Sequence, residues 1–340
     1  MKPYSNALIA TLLAAIATSP AMAEESRVDY KPAIHGALRA RYEYSTADGK
    51  GRFQMRNARL QLSGAIAPSV SYFIQTDLCD RGSMKILDAW GKLGLWQSLA
   101  LQAGQFRLPF GTDCFRAPGN YIFPNHSFVG IEMNNVRGVG AKLSYTFTLP
   151  GSTLSLDGGA FNPTSITDQN VWVSTLAYAA KAQLSTGNVT IATGVQTIVP
   201  DSVRTNLTGA SVNWTCGHWI VEGEYIYKHY THNRHKSTHG YNLWADYHFP
   251  VKAGVFRQAS FQARFDGMTD HSTAVRDSKG LLLTNHPGRN RVTAGGTLTY
   301  LATRVRCDVK LSYEKYFYRR SVTPAMGDND RICAELVVKF

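Results

Sequence analysis

The chain has 340 residues, 36 Lys and Arg against 24 Asp and Glu, a formal net charge of +12 and a mean hydropathy of −0.21. An apolar share of 44% excludes wholesale disorder. Past the N-terminus no run approaches the roughly 18 consecutive apolar residues of a membrane-spanning helix, and 29 Gly, 17 Tyr and 15 Phe direct attention to β-structure.

In chain order, the first element is an export signal at residues 1–23. Lys2 supplies its positive start, Ala7 to Ala17 its short apolar core, and Ala21-Met22-Ala23 a small-x-small cleavage site. The mature chain, residues 24–340, then reads as segments of about ten residues with period-two alternation. In the first, Ile34, Gly36, Leu38, Ala40, Tyr42 and Tyr44 share one face, and His35, Arg39, Arg41 and Glu43 the other. In the second, Phe53 and Met55 begin an apolar face that resumes at Ala58, Leu60 and Leu62; the slip at Arg56-Asn57 predicts a β-bulge. Val70 to Leu78 forms the third. Leu87, Ala89, Gly91 and Leu93 supply the apolar face of the fourth, and Leu99 to Gln105 is the fifth.

Alternation stops from Arg107 to Val136, where Pro109-Phe110-Gly111, Pro118-Gly119-Asn120-Tyr121 and Phe123-Pro124-Asn125 mark a long, ordered loop. It returns at Val139 and continues to Phe340, for a total of about 16 strands, an even number. Short connections, as after Ile66, Leu93 and Phe147, alternate with long ones, as after Gln105, Phe161 and Asp266. Aromatics fall at two levels, with Tyr42, Phe53, Tyr225 and Tyr241 near one rim and Tyr145, Trp219, Phe249 and Phe340 near the other. The expected fold is all-β: a transmembrane antiparallel up-and-down barrel with an inserted constriction loop at 107–136, lodged in the bacterial outer membrane and contacting its lipid.

Particular runs carry a family resemblance. Gly36 to Tyr44, Arg56-Asn57-Ala58-Arg59-Leu60, Asp77 to Asp80, Gly104-Gln105-Phe106-Arg107-Leu108-Pro109-Phe110, Asn135 to Gly140 and Gly159-Ala160-Phe161-Asn162 resemble the phosphate-selective porin O and P family, in a form similar to Bacteroides-type porins. The resemblance covers roughly residues 33–165. It implies a homotrimeric 16-stranded channel whose third outer loop, here Arg107 to Val136, folds into the lumen, and phosphate or similar small anions as solutes.

Candidate pore-lining and anion-binding residues are Arg39, Arg41, Arg59, Arg107, Arg116, Arg137, Lys142, Arg264, Arg306 and Lys310. An inward basic array lowers the barrier to anions. The alternative reading of the same charges is a wall network with Glu43, Asp77, Asp88, Glu222, Glu224, Asp266, Asp308 and Glu314. His229, His232, His235 and His239 fall at a predicted outer loop and read as solvated, with no metal expected. Cys79 and Cys114 lie on the same side and admit a disulfide tether, whereas Cys307 and Cys333 fall on opposite faces of neighbouring strands. Catalytic sequence motifs are absent, so neither an enzyme nor a cofactor is expected. Nucleic acid is excluded by export and by the scatter of Arg over many strands. The expected function is passive diffusion of small hydrophilic solutes with anion preference; the alternative is a plugged barrel used for adhesion or rim catalysis.

Overall fold

A strand with alternate apolar and polar side chains needs a different medium on each side, and a sheet of such strands loses its open edges only by closing on itself. The computed structural model does this. It describes residues 29–80, 82–134, 136–162, 172–319 and 328–340; the export signal read at residues 1–23 lies outside them. The first strands are β1 (Ala33–Ser45), β2 (Lys50–Ala67), β3 (Val70–Asp80), β4 (Ser83–Gly94) and β5 (Leu99–Arg107). After the loop come β6 (Arg137–Leu149), β7 (Ser152–Phe161), β8 (Ala177–Thr186), β9 (Val189–Ile198), β10 (Thr205–Cys216) and β11 (Trp219–Tyr230). The last are β12 (Thr238–Ala253), β13 (Phe256–Met268), β14 (Arg289–Leu301), β15 (Arg306–Tyr318) and β16 (Arg331–Lys339). Each pairs antiparallel with its sequence neighbours, and β1 pairs with β16, closing the barrel. At the seam the Gly36 N–H donates to the Phe340 carbonyl at 2.8 Å and the Phe340 N–H to the Gly36 carbonyl at 3.1 Å.

Burial is the inverse of a soluble sheet. On β15, Leu311 is 60% exposed and Val309 44%, while Asp308, Lys310 and Glu314 are buried in the interior. The exposed apolar band fits a bilayer, and the charged interior fits a lumen. No helix among the described residues is long and apolar enough to cross a membrane. Aromatic rings meet along both ends of the strands: Tyr42 with Phe53 and Tyr241 with Phe265 at the outer end, Tyr145 with Phe147 and Trp219 with Tyr247 at the inner.

Two bulges reset which side chains face inward. Arg39 lies opposite Asn57 and Ala40 opposite Met55, so Arg56 is the extra residue of β2, as the phase slip predicted. On β4, Gln75 lies opposite Asp88 and Thr76 opposite Ile86, leaving Leu87 unpaired. The sequence reading placed Leu87 on the outer apolar face. The bulge instead turns it inward, where it lines a cavity beside Lys85.

All five cysteines are free. Cys333 is buried on the lumen side and Cys307 faces outward, as expected from their strands. The Cys79–Cys114 tether does not form. Cys114 is buried inside the inserted loop, where its thiol donates to the Phe110 carbonyl at 3.5 Å and its sulfur accepts from Asn134 Nδ2 at 3.1 Å.

Candidate pore and its lining

The loop between β5 and β6 enters the barrel and fastens to one side of it. Its apolar residues are the first anchors: Phe110, Val129 and Met133 pack on Leu207 of β10 and Ile226 of β11, and Phe128 packs on Met268 and Tyr316. Burying each such side chain is worth about 2 kcal/mol. Gly111 takes a φ of +75°, a conformation that suits glycine. The turn it makes presents the Thr112 and Asp113 N–H groups to Glu224 of β11, at 2.7 and 3.0 Å. Lys181 of β8 donates to the Gly111 carbonyl at 2.6 Å. The helical turn Val129–Met133 rests on the bare Cα of Gly240 in β12.

The loop's carbonyls are then taken, one after another, by cations from the wall. Lys310 donates to Tyr121 O. Arg39 and Arg41 both donate to Pro124 O, at 2.8 and 3.2 Å. Arg264 donates to Asn125 O and Arg291 to His126 O, each at 2.7 Å. Carboxylates on the wall hold these cations: Glu335 meets Arg39 at 2.6 Å, Asp266 meets Arg291 at 2.9 Å, and Glu314 joins Arg264, Arg291 and Arg331. Loop rings lie against the guanidinium groups, with Arg39 over Tyr121 and Arg264 over Phe123, both at 4.5 Å. Arg116, on the loop itself, reaches both oxygens of Glu222 at 2.7 Å. Five of the ten candidate residues, Arg39, Arg41, Arg116, Arg264 and Lys310, are thus spent on holding the loop. Replacing Arg39 with Ala leaves the buried Glu335 carboxylate with the more distant Arg41 at 3.8 Å and removes one of the two donors to the Pro124 carbonyl. The expected loss is about 3–5 kcal/mol, read as a lower temperature for conversion of the folded gel band to the unfolded one.

Asp113 organises the loop's interior. Its Oδ2 accepts from the Ser127 N–H at 2.9 Å and the Ser127 hydroxyl at 2.8 Å, and lies 3.2 Å from His126 Nδ1. Burial alone would raise this carboxyl, but His126 and Arg116 override it and hold it well below the usual carboxylate range. Burial also pushes the His126 imidazole below its ordinary value, against the pull of Asp113. A neutral buried histidine contributes stability that is present above about pH 6.5 and is lost as pH falls through the lower folded value. Acidification below about pH 6.5 is therefore expected to loosen the loop. In single-channel recordings this adds current noise that a His126→Gln variant does not show.

Fastened to β1, β8 and β10–β16, the loop leaves its free side toward β2–β6. A cavity of 520 Å³ lies there, lined by Arg56 and Arg59 of β2, Lys85 of β4, Arg107 of β5 and Arg137 of β6, with Tyr121, His126 and Ile131 of the loop. Arg59 pairs with Asp77 at 3.3 Å, Arg137 with Asp88 at 3.1 Å, and Arg56 and Lys85 share Asp80. Above it, a cavity of 680 Å³ includes Arg41, Arg52, Arg291, Arg331, Glu132 and His286 in its lining and also touches His126 and Ile131. Below it, a third of 340 Å³ runs along Ala117 to Asn120 and shares Arg59. The 520 Å³ cavity shares His126 and Ile131 with the one above it and Arg59 with the one below, so the three follow one another along the loop. Lys142 and Arg306 lie off it, paired with Asp157 and Asp308. Arg56 and Lys85 are lining residues that sequence reasoning missed. The bulge beside each carried the signal, since a phase slip turns consecutive residues inward.

The histidines at the β11–β12 connection do not gather. His239 Nδ1 pairs with the Tyr225 hydroxyl and His235 Nε2 with the Thr284 hydroxyl. No metal-binding group of three or more residues forms among the described residues.

The family model described as phosphate-selective porin O and P matches residues 33–170. None of the curated proteins matches the chain. Among solved structures, the anion-selective porin from Comamonas acidovorans superposes with a TM-score of 0.63 at 13% identity, covering 91% of this chain and 98% of that one. The outer membrane channel DcaP of Acinetobacter baumannii gives 0.59 at 14% identity, covering 93% and 99%. The trimer form of OmpT, an outer membrane protein of Vibrio cholerae, gives 0.57 at 10%, covering 91% and 98%. At such identities the likeness is one of fold. The resemblance to the phosphate-selective porin O and P family is carried by residues 33–170, and the barrel as a whole has the fold of outer-membrane porins.

Proposed function

We propose that the protein is an outer-membrane diffusion channel for small hydrophilic solutes, with a preference for anions and with phosphate among its solutes. The observation that carries this is the passage beside the loop, where Arg56, Arg59, Lys85, Arg107 and Arg137 converge while Asp77 and Asp80 are the carboxylates in the lining. A narrow, low-dielectric lumen focuses the field of such a cluster, so anions enter at lower cost than cations. Arginine adds chemical selectivity, because its planar fork can donate two hydrogen bonds to one phosphate or carboxylate. The family's description and the anion-selective neighbour support the same reading. The trimeric neighbour supports assembly as a homotrimer, and residues 1–23 would direct export to the outer membrane. The barrel acts as a conduit rather than an enzyme.

The test is single-channel current through purified barrels in a planar bilayer, with phosphate then titrated into chloride. Open steps reduced by low phosphate in a saturating manner support the full reading. Open steps indifferent to phosphate leave a general anion channel, and a folded but silent barrel removes the channel reading.

A further inference from the structure

The outer cavity and the passage share two loop residues, His126 and Ile131. A solute moving from one cavity to the other passes these side chains. Both are held in place. The His126 ring packs edge-on against Tyr121, with centroids 4.3 Å apart, and the His126 carbonyl is fixed by Arg291. Ile131 belongs to the turn that rests on Gly240. Asp113 stands behind His126 and lines neither cavity. Its Oδ2 is covered by His126 Nδ1 and by the Ser127 amide and hydroxyl.

We propose that His126 and Ile131 form the selectivity-setting neck of the pore, in which Ile131 limits the width and His126 screens the Asp113 carboxylate from the passing solute. The proposal rests on the channel reading and adds to it the residues that set width and charge where the two cavities meet. An exposed carboxylate there would face Arg107 and Arg137 of the passage on one side and, on the other, Arg41 and Arg331 beside the Glu132 carboxylate. It would cancel part of the positive field that an anion meets.

The experiment is single-channel recording of the full barrel in a KCl gradient, each variant first shown to migrate as a folded barrel. Ile131→Trp lowers conductance to about half or less and leaves the reversal potential where it was. Ile131→Gly raises conductance, again with no change in reversal potential. His126→Ala raises conductance and moves the reversal potential toward the cation side. Adding Asp113→Asn to His126→Ala keeps the higher conductance and restores the anion-side potential. The proposal is overturned if Ile131→Trp and Ile131→Gly both conduct like the wild type. It is also overturned if His126→Ala and the double variant share one reversal potential. A silent wild type removes the channel reading and this proposal together, whereas a conducting wild type with indifferent variants removes the proposal alone.

Discussion

Replacing Arg59, Arg107 and Arg137 together with Gln is expected to shift the ion preference proposed above from anions to cations. All three line the passage between the loop and β2–β6. Their loss removes positive charge and also uncovers negative charge, because Arg59 pairs with Asp77 and Arg137 with Asp88. A unit charge about 4 Å from a passing ion is worth about 4 kcal/mol at an effective dielectric constant of about 20, so three substitutions reach well beyond thermal energy. The measurement is the reversal potential in a KCl gradient, and the expected result is a change of its sign. The same exchange at Arg39, Arg264 and Lys310, which hold the loop's carbonyls, is expected to lower barrel stability and destabilise the open current level.

The second large effect is steric. A Cβ at Gly240 would collide with Met133 Sδ and come within 2.6 Å of Val129 Cγ1. Gly240→Val therefore pushes the turn Val129–Met133 off β12. Since the loop stands between that wall and the passage, the displacement narrows the passage. Conductance is expected to fall severalfold while the barrel, whose pairing of Gly240 with Ile226 and Met268 runs through the backbone, still folds and inserts. Deleting the loop's tip has the opposite sign and raises conductance. If both changes raised it, the passage would lie on the β12 side rather than along β2–β6.

The barrel was legible because its cause is local. Alternation at period two tells which face each residue takes, and with it the strand count, the short inner turns and the aromatic levels follow. The loop's limits were equally plain: alternation ends at Arg107 and returns at Val139, and β5 ends at Arg107 and β6 begins at Arg137. The partners of the inward charges were not legible. Periodicity places Arg39 in the lumen, but the Pro124 carbonyl it binds is 85 residues away and Glu335 is 296 away. Arg39, Arg59 and Arg264 therefore looked alike, although one lines the passage and two hold the loop. Arg56 and Lys85 escaped for another reason: each sits at or beside a bulge, where the inward phase changes from one residue to the next. Leu87 was misplaced by the same bulge.

The route of the solute is the central claim, and chemical block of the passage tests it most directly. Lys85 lines the passage with its side chain 55% exposed, so a Lys85→Cys thiol is reachable from the water in the pore. Addition of a negatively charged thiol reagent to this variant in a bilayer should reduce the current stepwise and irreversibly. The wild type, with its five native cysteines, serves as the baseline. Loss of current beyond that baseline is the predicted result. A labelled channel that conducts as before, with modification confirmed by mass, would place the solute path elsewhere in the lumen.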